Sequence, residues 1–599
     1  MPSYLGTNFD DIISPTQNTT GGLLVDPTQS NYIYGLDGDD LLEGGNGNDY
    51  INGGTGVDQM SGGAGSNTYV VDDTNDLVIT TTGFDTIWLS SAAPIFFDMQ
   101  VNAATTQNLV MFQTSSTVNH NVSGNDFANT ITGNLGDNQI FGMGGNDILY
   151  GNGGDDELDG GFGSDRLIGG AGYDIYYIDN VGDAIVEDST EPVGFNEAFS
   201  TVSYTLSSHI FGLTLEGSAN LNGTGNDWDN LLVGNIGRNT LDGGLGADTM
   251  VGGGGFAGDT FVVDNAGDRV IADGIGDYAG NPNPTGAGVN TISSSITLDL
   301  LGGVVLSGNV YNLVLSGTSN INALGNNLAN YIAGNNGNNV LEGRDGSDFI
   351  YGFTGNDTLD GGAQNDILDG GLGADTFITS TGQDSYYVDN LGDVVVGTTG
   401  GPHRVFSSVS NYSLATNAVG VRDLTLTGSN PLSGAGNSLN NTIIGNTAGN
   451  TLSGLDGNDN LFGEGGTDQL TGGRGNDTLN GGAGADAFAY DNTVPFAELG
   501  IDTITDFSVG DTIRLSRSLF GLSGALISPI SSTQFAAVTT DVDAAISTAR
   551  IVYNSTNRRL YFNENEGLAG FGTGGAFVTL GFPNSPVPTL TRSNVVLIA

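Results

Sequence analysis

The 599-residue chain contains no cysteine. Disulfides and thiolate metal sites are therefore excluded, and a chain folding in an oxidising space needs another staple. It also contains no lysine. All 13 of its basic residues are arginine, against 67 acidic ones, for a formal net charge of −54. Nothing in such a chain tracks a phosphate backbone, so nucleic acid is excluded as a partner, and its field repels an anionic membrane surface. No apolar run reaches the ~18 residues that a membrane-spanning helix needs, so no membrane insertion is expected. The opening MPSYLGTNFDDIISP has neither a basic nor an apolar leader region, and a cleaved signal peptide is not expected. His120, His209 and His403 are isolated from one another and read as structural or surface residues. There is no H-E-x-x-H, no G-x-S-x-G elbow and no EF-hand spacing, so the commonest protease, hydrolase and helix-loop calcium motifs are absent.

What the chain has in excess is glycine, 100 residues, about twice the usual share. High charge can signal disorder. Here 37% of the residues are apolar, and tyrosine and phenylalanine recur at fixed offsets, which a disordered chain has no reason to keep.

The offset is nine. In GGNGNDYINGGTGVDQM, residues 44–60, a Gly-Gly pair opens a unit whose sixth position is acidic and whose eighth is apolar. The first block carries Asp40, Asp49 and Asp58 at position 6, followed in phase by Asn67, with Leu42, Ile51, Met60 and Tyr69 at position 8. The second carries Asp147, Asp156, Asp165 and Asp174. The third is short, Asp248 and Asp259, with a two-residue slip at GGGGFAGD. The fourth carries Asp348, Asp357, Asp366, Asp375 and Asp384, and the fifth Asp459, Asp468, Asp477 and Asp486. Upstream of the later blocks the phase continues with asparagine at position 6: Asn129 and Asn138, Asn230 and Asn239, Asn330 and Asn339, Asn441 and Asn450. These are expected to form neutral hydrogen-bonded ladders and to bind no metal. Most blocks close on an aromatic-aliphatic strand and an aspartate, such as TYVVDD or YYVDN, and aspartate-poor spacers such as LTLEGSANLNGTGN follow.

Helical periodicity is absent. Each unit offers a glycine-rich turn and then a very short strand whose central side chain points inward. Two units make one coil, and stacked coils bury the position-8 residues in a continuous core that no single unit could build. Coils in parallel register lie about 4.8 Å apart. Residues 18 apart, such as Asp40 and Asp58, then stand one above the other, where two unit charges repel by roughly 3–4 kcal/mol at an effective dielectric of 20. A hard divalent cation between the coils reverses that sign. Calcium, with six to eight oxygen ligands in adaptable geometry, suits carboxylates and turn carbonyls.

The motif G-G-x-G-x-D-x-U-x resembles the RTX, or hemolysin-type, calcium-binding repeat over most of residues 31–492. The resemblance implies an all-β fold, a calcium-bound parallel β-roll or β-solenoid with a small C-terminal β domain. It implies that the eighteen position-6 aspartates named above are ligands of multiple Ca2+ ions, together with turn carbonyls. The expected organisation is a cap segment at 1–30, a solenoid at 31–492 in modules 35–141, 142–242, 243–342, 343–453 and 454–492, and a C-terminal domain at 493–599. Residues 500–516, 549–567 and the closing SNVVLIA resemble the C-terminal segment of exoproteins exported by type I systems. The function expected is a secreted, calcium-dependent structural protein of a bacterial cell surface that folds after export and associates with copies of itself. A second reading is an adhesin that binds surface polysaccharide through spacer loops such as 275–290. An enzyme or toxin is the third.

Overall fold

The computed structural model describes residues 2–15, 23–103, 106, 108–111, 117–187, 195–255, 257–272, 288–397, 401–565, 568–581 and 590–599. The spacer segment 275–287 lies outside them. The chain divides into two compact units, the first formed by 1–279, 285–293 and 302–310 and the second by 280–284, 294–301 and 311–599.

Both units are parallel β-solenoids, as the nine-residue period predicts. In the first, Ser3–Leu5, Tyr32–Asp37, Tyr50–Thr55, Thr68–Val71 and Thr86–Leu89 follow one another in one sheet. Ile12–Ser14, Leu41–Asn46, Gln59–Ala64 and Leu77–Thr82 do the same in another. Every second strand is a neighbour, so two turns and two strands make one coil. Register is held residue by residue: Ile33 pairs with Ile51 and Ile51 with Tyr69. In the second unit, Phe349–Tyr351, Ile367–Asp369 and Ser385–Val388 stack in one sheet, while Val340–Glu342, Thr358–Asp360 and Thr376–Ile378 stack in another.

The three-residue strand follows from the sequence. Its middle residue is buried and its neighbours are half-exposed, as at Thr358–Asp360 and Ile367–Asp369. Position 8 supplies that middle residue, and Leu149, Leu158, Leu167, Ile350, Leu359 and Leu368 are fully buried. The spacers stack as well. Gly212–Leu215 and Asn222–Thr224 pair in register with strands of the repeat blocks.

The stack extends beyond residues 31–492. Ser3–Leu5 pairs with Tyr32–Asp37, and Asp11 donates its N–H to Asp40 Oδ1 across 29 residues, so the expected cap segment contributes a coil of the same kind. At the far end, Asp502–Ile504 pairs with Thr478–Asn480, and Thr512–Ser516 with Ala487–Tyr490. The closing strand Val595–Ile598 lies parallel to Thr512–Ser516. Insertions lengthen these coils, Asp477 and Asp502 being 25 residues apart instead of 18, and that hides them from a strict nine-residue count. Beyond the last coil, Ile551–Asn554, Arg559–Phe562 and Gly575–Leu580 form an antiparallel meander joined to the solenoid through Asp502–Ile504. Among the described residues no helix is long and apolar enough to cross a membrane.

The period separates two leucines of neighbouring units. Leu368 at position 8 is fully buried, whereas Leu372 in the turn of GGLGAD is 66% exposed. Leu368→Ala should cost about 2–5 kcal/mol through lost burial and a residual cavity, and Leu372→Ala no more than about 0.5 kcal/mol. Urea unfolding of the calcium-loaded protein, followed by circular dichroism, checks the contrast.

Candidate metal centre

Each position-6 side chain sits in a turn between two strands and does the same thing with one oxygen. Its Oδ1 accepts the backbone N–H of the equivalent residue one coil earlier. Asp40 donates to Asp58 at 2.8 Å, Asp147 to Asp165 at 2.6 Å, Asp357 to Asp375 at 2.8 Å and Asp459 to Asp477 at 2.8 Å. All eighteen predicted aspartates make this bond, with donors that include Asn31, Asn129, Asn239 and Asn450 at the starts of rows.

The second oxygen distinguishes them. In Asp40, Asp49, Asp58, Asp147, Asp156, Asp165, Asp174, Asp248, Asp348, Asp357, Asp366, Asp375, Asp459, Asp468 and Asp477, Oδ2 is buried and has no hydrogen-bond partner. A buried, unsatisfied carboxylate oxygen is costly. Burial is the largest cause raising these carboxyl pKa values, and the carboxylate of an adjacent coil adds to it in most of them, against the lowering effect of the accepted N–H. Asp58, Asp147, Asp366, Asp375 and Asp459 are pushed up to about 7, and Asp156 and Asp348 to about 8.

Each orphan oxygen points at a space that only a glycine at position 1 leaves open. A Cβ built on Gly35 would lie 2.1 Å from Asp40 Oδ2 and 2.2 Å from the carbonyl oxygen of Gly53 in the next coil. One on Gly352 would lie 2.4 Å from both Asp357 Oδ2 and the Gly370 carbonyl. A carboxylate oxygen and a main-chain carbonyl therefore converge in the same gap, and they do so again at Gly142, Gly151, Gly343, Gly454 and Gly463. These are hard oxygen donors and fit calcium. Among the described residues no three acidic or histidine side chains gather at one point. A cation here draws on main-chain carbonyls beside the carboxylates, which also disfavours zinc.

Position 2 separates the orphaned units from the asparagine units that open the later rows, and sequence reasoning built on position 6 missed it. In the units with an orphaned Oδ2 position 2 adopts a left-handed backbone, either as glycine or as Leu36, Met143, Asn152, Arg344, Phe353, Leu455 or Glu464, all at positive φ. In the asparagine units upstream of the later blocks position 2 is itself asparagine and is absent from that conformation. Its N–H then donates back to the position-6 side chain: Asn125 to Asn129 Oδ1 at 2.9 Å, Asn235 to Asn239 at 2.9 Å, Asn335 to Asn339 at 2.9 Å and Asn446 to Asn450 at 2.8 Å. The position-2 amides reach the preceding coil, Asn235 Nδ2 donating to the carbonyls of Glu216 and Ala219. The neutral ladders are thus formed by G-N-x-x-x-N, a signal present in GNDFAN and GNIGRN.

Rows also have stops. Asp76, Asp183, Asp268 and Asp393 continue the ladder, but Oδ2 of each accepts two N–H groups of its own turn. Asp183 receives those of Asp179 and Asn180, and Asp393 those of Asp389 and Asn390. Asp511 is closed likewise by Ser508. The recurring D-N-x-G-D is therefore a self-satisfied end. Asp384 departs from the other predicted ligands. Its Oδ2 accepts from Tyr386 at 3.2 Å and lies 3.2 Å from Nδ1 of the fully buried His403. His403 takes the place that Asn196 and Asn290 hold in other blocks. Asp259 and Asp486 share the Oδ1 bond, but neither has the orphaned Oδ2 of the fifteen. Asp502, not singled out from the sequence, has a buried, unpartnered Oδ2, and burial with Asp477 beside it holds its carboxyl well above the usual range.

Two outcomes follow from this chemistry. Asp357→Asn should lower the number of calcium ions bound, counted by titration against a chelating dye. Asp393→Asn should leave that number unchanged and cost about 1–3 kcal/mol, because an amide would face two N–H donors. The pH response of the calcium-free protein should be inverted relative to ordinary acid denaturation. Carboxyls raised from ~3.9 in the unfolded chain to about 6–8 in the fold bind protons more tightly when folded. Their contribution is complete below the unfolded value and is lost as pH rises through 6–8. In chelator, β-sheet circular dichroism should be stronger at pH 5.5 than at pH 8. Calcium should restore it at pH 8, and equal signals at both pH values in chelator would refute the assignment.

The family model for the RTX calcium-binding nonapeptide repeat matches residues 34–69, 123–158, 144–176, 223–256, 324–352, 351–386, 435–470 and 462–492. No curated protein matches the chain. The matched stretches coincide with the aspartate rows and the asparagine units that open them. The chain is built on RTX calcium-binding nonapeptide repeats and binds several calcium ions.

Proposed function

We propose that this is a secreted, calcium-dependent structural protein of a bacterial cell surface, an S-layer, sheath or fibril component, and that the calcium ligands are the orphaned aspartates. RTX repeats imply a calcium-binding protein exported to the extracellular space, and their solenoid is a structural calcium-binding fold. The observation that carries the finer reading is how much of the chain is solenoid. Parallel strands run from Ser3–Leu5 to Val595–Ile598, and within the described residues only the 535–580 meander departs from that scheme. The stack of coils is therefore the main product of the sequence, and no catalytic role is assigned to it.

Two features support association between copies. Ser3–Leu5 and Leu23–Leu24 each have a strand on one side only among the described residues, and such edges are templates for pairing. In the second unit the edge strand Val595–Ile598 is covered, Ile527 and Ile530 donating to the carbonyls of Leu597 and Val595. Export follows from the same electrostatics. At low calcium the buried carboxylates oppose folding, and outside the cell metal binding and folding become one event. A second reading, an adhesin for a surface polysaccharide, is favoured by the outward-facing rings of Tyr32, Tyr34, Tyr50 and Trp88 on the first unit.

Calcium titration of chelator-stripped protein, followed by circular dichroism and electron microscopy, tests the proposal. Gain of β structure together with ordered sheets or fibres is expected. Gain of β structure with monomers at every calcium concentration would overturn the self-assembly.

A further inference from the structure

Outside the turns, one place on the first unit gathers chemistry that neither the core nor the metal rows use. On the outer face of its first sheet, Tyr32, Tyr34, Tyr50 and Trp88 form a continuous aromatic cluster. Ring centroids are 5.6 Å apart for Tyr32–Tyr50, 5.8 Å for Tyr34–Tyr50 and 6.1 Å for Tyr50–Trp88. These side chains point away from the core, where Ile33, Ile51 and Ile87 from the same strands are buried. Tyr32 is exposed, and the other three are half-exposed. Beside them opens a cavity of about 350 Å³ whose lining includes Tyr34, Asn8, Asn52, Asp72 and Ser90.

We infer that this cleft binds a neutral hexose chain. Sugar rings present apolar C–H faces that pack on aromatic rings, and a rim of hydroxyls that pair with amides, carboxylates and hydroxyls. The cleft offers both, side by side. Its volume falls in the range of small-ligand sites. No lining residue is basic, and Asp37 and Asp72 are among them. With a molecular charge of −54, this disfavours phosphate, sulfate and uronate ligands. Apolar ligands are disfavoured by the amide and carboxylate lining. The period fits as well. Tyr34 and Asn52 are register partners on adjacent strands, and Val70 and Trp88 continue the column. Val70 is buried, so a chain crossing the strands, which are about 4.8 Å apart, meets Tyr34 and Asn52 on adjacent strands and Trp88 two strands further on.

The inference deepens the adhesin reading and is independent of self-assembly. The protein has two tryptophans, Trp88 and Trp228. Trp228 packs on His209, away from the cleft. In the full-length, calcium-loaded Trp228→Phe protein, Trp88 becomes the sole indole reporter. Maltohexaose, cellohexaose, laminarihexaose and chitohexaose are titrated while its emission is followed, with isothermal calorimetry in parallel. At least one should shift the Trp88 emission saturably and release heat. Tyr34→Ala and Asn52→Ala should each weaken that binding about tenfold or more, with circular dichroism and the calcium midpoint unchanged. Absence of any saturable response at millimolar sugar overturns the inference, and so does unaltered affinity in both folded variants. Electron microscopy of the same samples reads assembly separately, so failure of sugar binding and failure of self-association are told apart.

Discussion

A buried carboxylate oxygen without a donor is the constraint on which the rest of this structure depends. One oxygen of every position-6 aspartate is committed to the ladder that ties coil to coil, as in the 2.8 Å bond from Asp40 to Asp58. The other must be satisfied locally, and the fold provides two ways. A cation reached through the gap above a position-1 glycine is one. A backbone N–H of the turn is the other, used by Asp183 and Asp393. Asparagine units avoid the problem by taking the N–H of position 2 and carrying no charge. Three kinds of turn are thus one architecture with different electrostatic endings.

This grammar explains why the acidic rows are short. Rows that follow a spacer open with asparagine, as Asn129, Asn230, Asn330 and Asn441 do, and then run through a few aspartates. They close on a self-satisfied aspartate or on an amide or imidazole such as Asn196 or His403. Like charges stacked at coil spacing repel, and each added carboxylate raises the cost of the metal-free fold. Neutral ladders between rows keep the stack continuous while confining charge to segments. With the orphaned aspartates as the calcium ligands, as proposed above, metal-dependent order is distributed along the chain in cassettes joined by neutral coils.

Much of this was legible in the sequence. Period nine fixed the coil, position 8 the core and position 6 the ladder, because each is repeated often enough to stand out from a glycine-rich background. What escaped was carried by single backbone conformations. Leu36 and Asn125 occupy the same position in their units, yet one is left-handed and the other donates its N–H to Asn129. Only the second makes its turn neutral. Counting aspartates could not reveal that Asp384 is engaged by Tyr386 and His403, because its partners come from the next strand and the next coil. Coils with insertions, such as those ending in Asp40 and Asp502, were lost because a fixed period tolerates no change of length.

Along each strand the inward residue is fixed by packing and the turn by its hydrogen bonds, whereas the outward residues answer to neither. Their composition is therefore where a solenoid records what it meets in solvent. Elsewhere these outward places hold threonine, as Thr130 and Thr132 do in the column that begins at Tyr32 and Tyr34, or stacked ring pairs such as Tyr177–Phe199 and Tyr387–Phe406. What sets the first sheet of the first unit apart is that four rings stand beside a polar cavity. Solvent-facing aromatic surface gains nothing for the core of a parallel stack and exposes the protein to non-specific association. Its concentration beside amide and carboxylate groups, on a molecule otherwise covered in negative charge, is accounted for by a ligand that has both a polar rim and an apolar face.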